Sequence, residues 1–433
     1  MTTILMLWAR YPFPPVSGRT KLLVQRLGFF EKADCAVHLV VLDTASIQEQ
    51  EERRAAICEQ FPFVKSVNFL PLPALPLAAW NMAWYSLVRK KKTLQESMFF
   101  LPHYEGLIRE EIRRLQPDVV YCDTFRTAQY LEGGAQSEQS RKPHIVFDWD
   151  DIFSQKYQNY LARTDDDTPL LGYLSKYVPQ LLQTLANHIL RRTLLRIEIT
   201  RSLEREAELP RHADATILVS PLEVSTLRER SGCETVSALL PAVTIPYQTV
   251  PIAERPNSLV FMGLLNFMPN EEGLLHFLAH IFPNIQQQIP DITLTILGAN
   301  PTERLLKAVR NFGASVVLTG FVEDPEPLLR SSEVFIAPVY YGTGIKTKIL
   351  DAMAFSAPVV TTQQGAEGLM ITSGEELMIA RDDDEFVRAC VDLVQSPEKR
   401  MNIRQKALQY VRTQHERDVV RKEFLRICRI DAA

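Results

Sequence analysis

From Pro338 to Thr362 the chain reads PVYYGTGIKTKILDAMAFSAPVVTT. Gly342, Thr343 and Gly344 are followed by Lys346 and Lys348, two residues apart. These residue types at this spacing suit an anion. Glycines present backbone N–H groups with no side chain in the way. A helix that begins near Ile345 adds the positive end of its dipole. Lysines in a first helical turn oppose that dipole, so their placement gains from a bound phosphate. The plainer alternative is two solvated lysines on an ordinary helix. Asp351, one turn on, either pairs with Lys348 or accepts hydrogen bonds from sugar hydroxyls.

Other glycines stand at strand ends: Gly263 after SLVFM, Gly298 after ITLTIL and Gly320 after SVVLT. Each alone is turn chemistry. Together on one sheet edge they indicate a ligand site. In the first half, Gly18 and Arg19 fall in a loop after the first strand, where Arg19 either meets a phosphate or lies exposed. FDWDD brings Asp148, Asp150 and Asp151 to a strand end, and YCDT does the same for Asp123. Carboxylates so close repel, so at least one pKa should rise unless a cation is near. Asp-x-Asp admits a metal, but hydrogen-bonding and capping roles are favoured, and no metal is expected. His276 and His280 are spaced i, i+4 without a carboxylate motif, which makes them ordinary helix positions. No G-x-S-x-G and no P-loop occurs.

The elements that must position these groups follow from the apolar pattern. TILMLWAR, AVHLVVLD, SVNFLPL, DVVYCD, HIVFDWD and ATILVS are near-continuous apolar runs separated by helical spacing. They predict parallel strands buried on both faces. The stretch from Thr168 to Leu209 predicts one or two long helices. Leu239 to Ser258 holds four prolines and little periodicity, so it is the candidate linker. SLVFMG, ITLTILG, SVVLTG, VFIAPV and APVVTT form a second βα series, and the chain is helical from about Glu385. The expected domains are residues 1–244 and 245–414, with a final helix at about 415–433 that packs back on the first.

With 433 residues there is material for two or three cores. A net charge of -4 argues against a nucleic-acid partner. Six scattered cysteines, none in a C-x-x-C pair, fit a reducing compartment and a cytoplasmic location. The start, MTTILMLWAR, reads as a strand rather than a signal peptide. Phe69 to Lys92 is apolar and ends in the basic run Arg89 to Lys92, but Pro71, Pro73 and Pro76 spoil it as a spanning helix. It is either a strand end and a helix under a loop, or a surface that rests on the inner face of a membrane.

FMGLLNFMPNEEGLLHF, LTILGANP and LTGFVEDPEPLLRSSEVFIAPVYYGTGIKTKILDAMAFSAPVVTTQQGAEGL together resemble the donor-binding half of a GT-B glycosyltransferase of family 4 (group 1). The likeness runs from Val260 to Leu369. The first half carries a weaker resemblance: ARYPFPPVSGRTK resembles the family's first-strand loop, FDWDDIFSQKYQNYL a segment of the branch found in exopolysaccharide gene clusters, and ADATILVSPLEVSTLRE the strand and helix before the linker. The implied fold is α/β: GT-B, two doubly wound Rossmann-like domains facing across a cleft. The implied activity is transfer of a sugar from a nucleotide-diphosphate sugar to an acceptor hydroxyl of a glycan, lipid-linked sugar or small molecule. It would proceed with retention and without a metal or other cofactor. The implied donor site comprises Gly263, Asn266, Gly298, Gly320, Phe321, Val322, Gly342, Thr343, Gly344, Ile345, Lys346, Lys348 and Asp351. Gly320 to Val322 lie against the base, and Asp351 binds the ribose. The acceptor side takes Gly18, Arg19 and Asp123. Asp148, Asp151, Lys348 and Asp351 are the candidates for catalysis. The family's Glu-x7-Glu positions are Thr343 and Asp351 here, and Leu265 and Asn270 stand where basic residues are usual. More of the phosphate charge then falls to Lys346, Lys348 and backbone dipoles. The alternatives are a non-catalytic nucleotide- or glycan-binding scaffold of the same fold, and a nucleotide-sugar epimerase.

Overall fold

The computed structural model describes residues 1–15, 18–132, 142–162, 191–246, 253–342, 344–431. The chain divides into two compact units, Met1–Leu239 with Arg421–Ala433, and Leu240–Val420. The first border therefore falls five residues before the expected one. The reason is packing: Leu240, Val243 and Ile245 join an apolar cluster of the second unit, and the Val243 N–H donates to His415 O at 2.9 Å.

The first unit is a sheet of seven parallel strands: β1 Thr3–Trp8, β2 Ala36–Asp43, β3 Val64–Pro71, β4 Val119–Asp123, β5 His144–Asp150, β6 Ala215–Leu218 and β7 Val236–Ala238. Their order is β3-β2-β1-β4-β5-β6-β7. Strand order reverses between β1 and β4, and ligands of such sheets bind outside the carboxyl ends at that point. Asp123 and Asp148 are register partners at the ends of β4 and β5. β1 and the centre of β4 are buried on both faces, as their unbroken apolar runs require. The C-terminal segment returns to this unit: the Phe424 ring packs 5.0 Å from Phe30 and 5.6 Å from Phe29. Within the predicted stretch Thr168 to Leu209, a helix spans Arg191–Glu208, and 168–190 lie outside the described residues.

The second unit repeats the plan with β8 Ser258–Met262, β9 Thr293–Leu297, β10 Val316–Gly320, β11 Val334–Ala337, β12 Val359–Thr362 and β13 Met378–Ala380. The order is β10-β9-β8-β11-β12-β13, with the reversal between β8 and β11. Phe261, Phe277 and Phe282 fill one face of this sheet, and Phe335, Ile349 and Met353 fill the other. β7 and β13 were not legible in the sequence. Each is a three-residue edge strand, too short for an alternation to register.

Past β3 the segment beginning at Phe69 forms a helix Leu75–Asn81 that widens into a π-helical stretch Met82–Val88. Among the described residues no helix is long and apolar enough to cross a membrane.

Candidate functional site

The reversal point of the second sheet brings two loops together. After β8, the Gly263 N–H donates to Leu297 O at 3.0 Å. The next strand can approach this closely only because residue 298 is glycine. A Cβ there would lie 1.9 Å from Gly263 O and 2.8 Å from Leu265 Cγ. After β11, Gly342 and Gly344 take φ of 113° and 71°, backbone that glycine adopts without strain. Gln364, past β12, donates from Nε2 to Gly342 O at 2.9 Å and braces the turn.

The helix that follows spans Thr347–Ala354, with Lys346 at its N-cap. It starts two residues later than expected, so Lys346 is not in the first turn. Instead its ammonium folds back to donate to Gly344 O at 2.6 Å and Gly342 O at 3.3 Å. The carbonyls are thereby turned toward Lys346. In a trans peptide the N–H opposes its carbonyl, so the Ile345 N–H faces the other way. One lysine thus sets the direction of the loop's dipoles.

Lys348 does face the reversal point. Its Nζ donates to Asn270 Oδ1 at 2.8 Å and sits 4.7 Å from the centre of the Phe261 ring. Asn270 is held by its own Nδ2, which donates to Leu264 O at 2.9 Å. Burial, aided by the Lys346 charge, brings the Lys348 ammonium down to about 7. Asn270, rather than Asp351, is therefore its hydrogen-bond partner. The Lys348 ammonium thus sits between the Asn270 amide and the Phe261 ring.

The other expected donor residues are distributed around these loops. Gly320 ends β10. Phe321 is 77% exposed, and Val322 is half-buried against an apolar cluster. Ile345 is buried, while Asp351 is half-buried on the helix. Asn266 is exposed, four residues before the asparagine that meets Lys348. Thr343 lies outside the described residues.

In the first unit the structure corrects the reading of Gly18 and Arg19. They are not in a loop but open the helix Gly18–Glu31, and Arg19 is buried. Arg19 Nε donates to Asp123 Oδ1 at 2.9 Å, and Nη1 donates to Asp148 Oδ1 at 2.7 Å. Nη2 donates to Asp148 O at 2.7 Å. Two neighbouring strand-end carboxylates need a cation, and this arginine supplies it. Burial pushes the Asp148 carboxyl up, but the Arg19 and Arg26 guanidiniums outweigh it and hold the group below the usual range. Tyr121 also donates to Asp148. The rise expected in FDWDD falls on Asp150, pushed up to about 7 by burial and then by Asp151. Asp150 also takes φ of 71°, uncommon for a residue with a Cβ. Asp151 is half-buried at the following bend.

Residues 256–396 match the family Glycosyl transferases group 1. The matched residues lie within the second unit. An uncharacterized 44.6 kDa protein of the cps region of Klebsiella pneumoniae is 33% identical over 142 residues, which are 31% of this chain. The match spans 36% of that protein, about a third of its length. Sucrose-phosphate synthase of Thermosynechococcus elongatus shares the fold at a TM-score of 0.65 and 15% identity, over 99% of this chain and 98% of its own. Anabaena HepE in complex with UDP and glucose does so at 0.59 and 12%, over 98% and 99%. The fold, two parallel α/β sheets with helices, is GT-B.

Within the matched residues, two gain a role from the structure. Asn270 stood in the sequence only as a replacement for a basic residue. Gln364 carried no signal, because its bond to Gly342 joins segments 22 residues apart. His276 Nε2 donates to the Asp383 carboxylate at 2.9 Å, and its ring packs 4.7 Å from His280, away from the lysines in sequence.

Proposed function

We propose that the chain transfers a glycosyl unit from a nucleotide-diphosphate sugar to an acceptor hydroxyl, as a retaining, metal-independent enzyme of glycosyltransferase family 4. The observation that carries this reading is the Lys348 ammonium. It is half-buried beside the glycine turn at the reversal point of the second sheet, and among the described residues its hydrogen-bond partner is the neutral amide of Asn270. Such a cation gains most from a diphosphate whose charge grows as the sugar departs.

In this reading the acceptor oxygen bonds to the anomeric carbon as the carbon–oxygen bond to the diphosphate breaks. The acceptor proton passes to the departing phosphate oxygen. Lys348 and the amides beyond Gly344 stabilise that oxygen's charge, and Lys346 keeps the amides aimed. Lys348 and the amides then do what a metal does elsewhere. Asp351 is the proposed ribose ligand. Asp148, locked to Arg19, holds the end of β5 in place, and Asp151 is the proposed contact to the acceptor. A hexose donor carried by UDP is consistent with UDP and UDP-glucose bound by Anabaena HepE. The Klebsiella relative's cps region favours a polysaccharide acceptor.

The same reading places the protein in the cytoplasm, in peripheral contact with the inner membrane face. Trp80 and Trp84 stack at 6.1 Å and are 62% and 37% exposed. Leu77, Leu87 and Val88 are exposed on the same short segment, which ends in exposed Arg89, Lys90 and Lys91. Indole rings beside basic residues fit an anionic lipid interface.

The test is Lys346→Ala with Lys348→Ala, assayed for stabilisation by a panel of nucleotide sugars and for transfer. The expected result is loss of both, by about 100-fold or more in turnover, with the fold retained. Turnover like that of the unsubstituted protein would remove the role assigned to the lysines.

A further inference from the structure

Just past the end of β4 lies a second cationic group that the reading above does not use. Arg126 sits in the short helical stretch Thr124–Ala128 and is 8% exposed. Its Nη2 donates to Gln95 Oε1, and its guanidinium lies 5.0 Å from the Phe99 ring centre. Its Nε is enclosed with no hydrogen-bond partner, and no described residue forms an ion pair with it.

The carboxylates that act on Arg126 from a distance are engaged elsewhere. Asp123 accepts from Arg19 Nε and from the Ala9 N–H at 3.1 Å. Glu198 accepts from the N–H groups of Leu94 at 2.5 Å and Gln95 at 3.4 Å, and burial pushes it up to about 7. Arg10 adds like charge, so burial and this neighbour bring Arg126 down to about 10. A buried guanidinium beside another cation is poorly compensated by the protein itself.

Thr124 points the same way. It is buried, takes φ of 62°, and its Oγ1 has no hydrogen-bond partner. A β-branched residue at that φ is a genuine outlier, and such strain collects at functional sites. Arg126 and Thr124 both follow β4 at the strand-order reversal of the first sheet, where ligands of such sheets bind.

We propose that Arg126 and Thr124 hold an oxyanion of the sugar acceptor, a phosphoryl or carboxylate group, so that the acceptor is anionic. This rests on the reading of the first unit as the acceptor side. A neutral glycan would leave the guanidinium without its counter-charge, whereas an oxyanion satisfies both groups with charge-assisted hydrogen bonds.

The test is calorimetry on the full chain with UDP held at saturation, so that the group 1 domain is filled. Glucose 1-phosphate, glucuronate and glucose are titrated in turn. At least one anionic sugar is expected to bind tenfold or more tightly than glucose, and which one distinguishes phosphoryl from carboxylate. Arg126→Gln should lose that tenfold, with UDP affinity and the circular dichroism spectrum unchanged. If that variant fails to fold, Thr124→Val and the comparison of anionic with neutral sugar on the unsubstituted chain decide. Equal affinity for all three sugars, binding of none, or anion affinity retained in Arg126→Gln would overturn the proposal. Failure of UDP itself to bind would count against the transferase reading alone, since the sugar titrations stand without it.

Discussion

Lys348 Nζ donates to Asn270 Oδ1 at 2.8 Å, across 78 residues of sequence. That bond ties the helix after β8, Met268–His276, to the helix after β11, the two elements that flank the strand-order reversal. It gives the half-buried lysine an acceptor within the protein. The amide offers an acceptor but no charge, so the electrostatic demand is left for a ligand.

Because burial holds the Lys348 ammonium down to about 7, donor binding should depend on pH. A bound diphosphate stabilises the charged form, so binding takes up a proton wherever the free protein has lost it. Affinity for UDP-glucose should be flat below pH about 7 and fall above it, by up to about tenfold per pH unit. Calorimetry across pH, in buffers of different ionisation enthalpy, reads both affinity and proton uptake. Lys348→Met should bind weakly with no such slope.

Gly298→Ala should destabilise the second unit. The new methyl would meet Gly263 O, a backbone atom that cannot step aside. Overpacking of this kind costs about 1–3 kcal/mol, and here the upper end is expected. Denaturant unfolding measures it. A variant as stable as the parent would show that the two loops are not so closely packed.

The Arg19 ion pairs should matter for stability rather than for donor recognition. Arg19→Met leaves Asp123 buried without its cation and Asp148 with Arg26 alone, at 3.6 Å, at a cost of about 3–5 kcal/mol. Arg19→Lys should not restore it fully, since one ammonium cannot match a fork shared between two carboxylates. The stability held by Asp148 is present above the ordinary carboxylate pKa and should fade as pH drops through its lowered value. Urea midpoints between pH 7 and pH 3 check the sign, and Arg19→Met should flatten that dependence.

Trp80→Ser with Trp84→Ser should abolish sedimentation with vesicles rich in anionic phosphatidylglycerol. Stability should change by no more than about 0.5 kcal/mol, because both rings are at the surface. Neutral phosphatidylcholine vesicles should retain little protein even without the substitutions. Sedimentation that ignores both lipid charge and the tryptophans would sink the membrane contact.

By itself the sequence determined the alternation of strands and helices, the glycines at the strand ends and the basic loop from Gly342 to Lys348. Those are local matters: unbroken apolar runs specify buried parallel strands, and glycine spacing marks where backbone must turn or approach closely. It did not show that Arg19 is the counter-ion of Asp123 and Asp148, because that contact spans more than 100 residues and depends on strand order. It did not separate Lys346 from Lys348 either. Two residues apart, they look alike in one dimension, yet one folds back to fix loop carbonyls while the other is enclosed against Asn270 and Phe261. Which lysine braces and which is left to meet a ligand is set by where the helix begins and what packs beside it, and only the tertiary structure decides that.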